Sequence, residues 1–214
     1  MDSRFKLYGL NCRLNAALNP ALFHPQWLRT HQLISEQEAD SAKVKFIAEN
    51  FSLIQIGNIN LMVTDSTISL DTVDQTCFEQ MRDLAIGIFT PLEAIPIKQT
   101  GINTHVHYQF PSDAEWHHFG HTVAPKGHWN SIIESAGTQK LVIRGKNPDC
   151  EQGFINITVE PSVRFPHSLY VEINNHNEFR DTKDAQDAIG RLKNTWNKTV
   201  KESIEMVEKV VAIK

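Results

Sequence analysis

Over the first seventy residues, apolar and polar side chains alternate in short runs, the period-two signature of strands wet on one face. The runs cover Phe5–Leu14, Lys43–Ala48, Phe51–Ile56, Ile59–Thr64 and Thr67–Leu70, with Gly57-Asn58 as a tight turn before the fourth. From Thr72 to Phe89 the period lengthens to that of a helix. Val73, Cys77, Met81, Leu84 and Ile88 recur on one face, Thr72-x-x-Gln75 opens the segment and Pro91 follows it. The same change of rhythm then recurs. Strand-like stretches at Ile95–Phe110, Lys140–Arg144, Phe154–Glu160 and Leu169–Asn174 precede a long amphipathic helix over 182–211. Its apolar stripe runs through Ile189, Leu192, Trp196, Val200, Ile204, Val207 and Val211.

After the first strand of each part comes a short helical segment carrying a tryptophan: Pro25–Gln32 with Trp27, and Ser112–Val123 with Trp116. The order strand, short helix, strands, long helix therefore occurs twice, and Gly9-Leu10-Asn11 lines up with Gly101-Ile102-Asn103. These patterns predict an α+β protein of two related halves, 1–92 and 93–214, packed as one compact domain. Each half lays its long helix (72–89, 182–211) on a mostly antiparallel sheet. This order of elements resembles the duplicated saddle of the TATA-binding-protein-like folds, a likeness of layout that no motif accompanies. The alternative is a helix-grip fold, with a curved sheet wrapped around the C-terminal helix and a ligand cavity between them. Ser35–Ala42, Thr122–Gly137 and Gly145–Gly153 are the expected loops.

Composition narrows the function classes. With 41% hydrophobic and 21% charged residues, the 214-residue chain is ordinary for a globular protein. A net charge of −4 and the lack of a basic stripe disfavour nucleic acid as partner. Cys12, Cys77 and Cys150 are isolated and odd in number, which suits free thiols in a reducing compartment. No apolar run approaches the ~20 residues of a membrane span and no secretory signal opens the chain, so a cytoplasmic protein is expected.

Candidate chemistry concentrates between His105 and His128, which hold six of the ten histidines. His105 and His107 share one face of a strand, and His117 and His121 share one face of a helix. Two strand histidines plus one helical histidine would suit a divalent transition metal with an open position for water, the arrangement of catalytic zinc. No other cofactor is suggested. His-Glu-x-x-His, Walker and Gly-x-Ser-x-Gly signatures are absent. The leading expectation is therefore a non-enzymatic binding or scaffold subunit that contacts other protein subunits or a second copy of itself. Trp27, Trp116, Val207 and Val211 are its candidate contact residues. A metal-dependent hydrolase or metal-binding protein built on His105, His107, His117 and His121 is the alternative, and a small-ligand helix-grip domain is the second alternative.

Overall fold

The computed structural model describes residues 3–213. Among these residues nine strands form one antiparallel sheet: β1 (Phe5–Asn15), β2 (Lys43–Ile47), β3 (Phe51–Ile56), β4 (Ile59–Thr64), β5 (Thr67–Thr72), β6 (Gln99–Gln109), β7 (Leu141–Lys146), β8 (Phe154–Pro161) and β9 (Ser168–Glu178). Across the sheet the order is β2-β3-β4-β5-β1-β6-β9-β8-β7, so the two strands joined at the centre, β1 and β6, are far apart in sequence. The α+β class is as the periodicity predicts, down to the long C-terminal helix.

Among the described residues five α-helices accompany the sheet: α1 (Pro25–Thr30), α2 (Glu36–Ser41), α3 (Phe78–Ile88), α4 (Asp113–Val123) and α5 (Gln186–Val211). Strand alternation separates the sheet's faces. Tyr8, Leu10, Cys12 and Leu14 of β1, Thr104 and Val106 of β6, and Val171 and Ile173 of β9 are buried on one face. Onto this face pack α3, through Met81, Leu84 and Ile88, and α5, through Leu192, Trp196 and Val207. The burial of these stripes, at roughly 25 cal/mol per Å² of apolar area, is what holds helices to sheet. Among the described residues the opposite face carries no helix.

Three expectations need correction. Ser35–Ala42 contains helix α2, because Ser35 and Glu38 form a reciprocal capping box: Ser35 Oγ accepts from Glu38 N, and Ser35 N donates to Glu38 Oε2 at 2.8 Å. The first long helix does not begin at Thr72. Asp74 caps a 3-10 turn over Gln75–Cys77 and the helix follows from Phe78, while the Thr72 hydroxyl donates to Asn58 O. Val207 is fully buried on the sheet, so it is not presented to a partner. Among the described residues no helix is long and apolar enough to cross a membrane.

Candidate functional site

On the helix-free face, the strand register aligns one polar row across all nine strands: Lys43, Gln55, Asn60, Asp71, Asn11, Asn103, Asn174, Asn156, Arg144. Asparagine is depleted in strands, since its short polar side chain neither packs on a pleated surface nor favours extended backbone. A row of carboxamides in central strands therefore contradicts local preference, which in natural proteins marks a functional or strained site. Part of the row bonds internally. Asn11 Nδ2 donates to Ser69 Oγ at 2.8 Å, Asn103 Nδ2 to Asn11 Oδ1 at 3.0 Å, and Arg144 Nε to Asn156 Oδ1 at 2.9 Å. Two acceptors of the row are left open: Asn103 Oδ1 and Asn174 Oδ1 are both buried and accept no hydrogen bond from the described residues. Such orphans cost roughly 1–3 kcal/mol each, so they call for a donor from elsewhere.

Beside the row lies a pocket of about 530 Å³ lined by Asn103, His105, Tyr170, Glu172, Asp71 and Arg164 among others. The His105 ring stacks on Tyr170 with centroids 6.2 Å apart, and the Tyr170 hydroxyl donates to Glu172 Oε2 at 2.8 Å. Burial, with that hydrogen bond, pushes the Tyr170 hydroxyl's pKa upward. His107 has a structural task. It is only 5% exposed, its Nδ1 meets Ser162 Oγ at 2.8 Å, and its ring abuts Phe165. It thereby pins the β8–β9 turn onto this face.

His105 and His107 do share a face, as strand alternation requires, but α4 stands on the other side of the sheet. The α4 side chains His117 and His121 line a cavity with Leu169 and Val159, which belong to the helix-bearing face. The sheet thus separates the two histidine pairs. Among the described residues no three histidine, cysteine, aspartate or glutamate side chains converge to hold a metal ion. His117 instead lies 3.5 Å from Asp113, one helical turn away. Of the candidate contact residues, Trp27 and Trp116 are half-buried against the core, with Trp27 beside Phe23 and His31, and Val211 is half-buried too.

Burial depresses the pKa of His105, His107 and His176, because charging a shielded imidazole forfeits its hydration. A depressed imidazole is neutral in the folded chain while the unfolded chain already takes up a proton. Its contribution is therefore fully present above about pH 6.5 and is lost as pH falls through the folded value. The midpoint of thermal unfolding should accordingly drop between pH 7.5 and pH 5, and by less in a His105→Gln/His176→Gln variant. Identical pH profiles for the two proteins would show that these imidazoles are not shielded.

The chain matches no protein-family model and no curated protein sequence.

Proposed function

We propose that this protein is a non-enzymatic binding subunit that takes a segment of a partner protein across the helix-free face of its sheet. The observation that carries this reading is the nine-residue polar row, with its two orphaned acceptors at Asn103 and Asn174. A carboxamide offers both a donor and an acceptor without charge, the complement of a peptide group, and a rotation of the Asn103 and Asn174 amides that brings the orphaned oxygens to the surface would let them accept from partner N–H groups. Phosphate backbone is a poor alternative, because Asp71, Glu160 and Glu172 line the same face.

Support for a two-half saddle comes from the centre of the row. Asn11 pairs with Asn103, and around them Gly9 faces His105 while Arg13 faces Gly101. The repeated Gly-x-Asn segments are thus related by a local two-fold axis. On this reading β5, β4 and β3 correspond to β9, β8 and β7, α3 corresponds to α5, and β2 has no counterpart.

The test is quantitative affinity capture with wild type, Asn174→Leu, and a Lys193→Glu control on the exposed side of α5. Asn174→Leu removes a buried orphan, so the isolated protein should be at least as stable as wild type. Its recovery of specific partners should fall at least tenfold, about the loss of 1.4 kcal/mol of binding, with the control unaffected. Equal partner recovery by Asn174→Leu and wild type would defeat the proposal.

A further inference from the structure

We infer that the cavity beneath α4 is a second binding site, for a small monocarboxylate with an apolar body, anchored by Lys126. The cavity measures about 390 Å³, within the range of small-molecule sites, and lies between α4, the 124–140 loop and the β9-β8-β7 end of the sheet. Trp116, Phe119, Val123, Leu141, Val159 and Leu169 supply its apolar walls.

Lys126 lines this space and is only 8% exposed. Its ammonium donates to Gly120 O at 3.3 Å, and also to Ala124 O and Thr138 Oγ1. All three acceptors are neutral. The carbonyls at the C-terminal end of α4 favour a cation there, yet their partial charges do not equal a carboxylate. Among the described residues no acid lies within ion-pair distance of Lys126. Glu160, which lines the cavity, is paired with Lys140 instead. A buried cation without a counter-ion is costly, and a carboxylate that takes the place of the Thr138 hydroxyl as the third acceptor removes that cost. Asn130, Ser135 and Thr138 add polar groups near the same end. The enclosing loop also exposes Trp129, Ile132 and Ile133. Glu160 and Pro161, at the end of β8, border both spaces, but Lys126 and the apolar walls lie on the opposite side of the sheet from the polar row, so either proposal stands if the other fails.

The experiment is calorimetric titration of the full chain with octanoate and, separately, octan-1-ol. Octanoate should bind at least tenfold more tightly than the alcohol. Lys126→Met should weaken octanoate at least tenfold and leave the alcohol unchanged. Because Lys126 also holds the end of α4, a second variant is needed. Gly120 lines the cavity, and a Cβ there meets nothing within 4 Å, so Gly120→Leu starts its side chain without a clash. It replaces a helical glycine and should unfold no earlier than wild type while losing octanoate. Equal binding of octanoate and octanol, octanoate binding that survives Lys126→Met or Gly120→Leu, or no binding of either ligand would each overturn the inference.

Discussion

Replacing Trp196 with alanine should destabilise the protein by about 3–5 kcal/mol, the usual cost of deleting a buried aromatic side chain and leaving its cavity. Trp196 is 2% exposed and is among the largest buried side chains. It sits near the middle of a 26-residue helix that packs on β6, β9 and α3. Those contacts tie the C-terminal helix to the central strands and to the other helix. A domain's whole stability is only about 5–15 kcal/mol, so one substitution removes a large share of it. For a chain of this length the midpoint of thermal unfolding should fall by roughly 10 °C. Trp196→Phe should recover part of the loss. Val163→Ala, at a side chain 99% exposed in the β8–β9 turn, should change stability by less than about 0.5 kcal/mol. If Trp196→Ala unfolds within about 2 °C of wild type, α5 does not bury this residue against the sheet.

Trp196 was legible in the sequence because a helical stripe requires only local spacing. The same holds for the strands. Ile155, Ile157 and Val159 alternate with polar residues, and Phe51–Ile56 and Ile59–Thr64 have the boundaries that the alternation predicts. The helix at 36–41 was legible too, in the Ser35-x-x-Glu38 pattern, but charge and a lack of apolar spacing obscured it. The candidate site was a different matter. Asn11, Asn60, Asn103, Asn156 and Asn174 each stand at a polar position of a strand, and only the register brings them into one row. Register depends on pairing between strands as distant as β1 and β6, which local periodicity does not encode. For the same reason His105 and His121 look like neighbours in sequence while the sheet lies between them. Lys126 gave no signal either, since its burial depends on a loop folding over α4.

The glycine facing His105 yields the sharpest test of this register. Gly9 is buried in β1, and a Cβ there would lie 2.1 Å from His105 Nε2 and 2.6 Å from its Cε1, so the imidazole rests on the glycine. Local preference alone predicts that valine at this strand position would stabilise, because glycine is a poor strand former. The packing predicts the reverse. Gly9→Val must displace the ring or part β1 from β6, and should cost about 1–3 kcal/mol, the range for overpacking a filled site. In the Gly9→Val/His105→Ala double variant the obstacle is gone and the strand preference of valine remains. The two changes should therefore be coupled by at least about 1 kcal/mol, with the double variant more stable than Gly9→Val alone. Denaturant titration of the four proteins gives that coupling directly. Additive losses would mean that His105 does not lie over Gly9, and the pairing of β1 with β6, on which the amide row depends, would lose its most direct support.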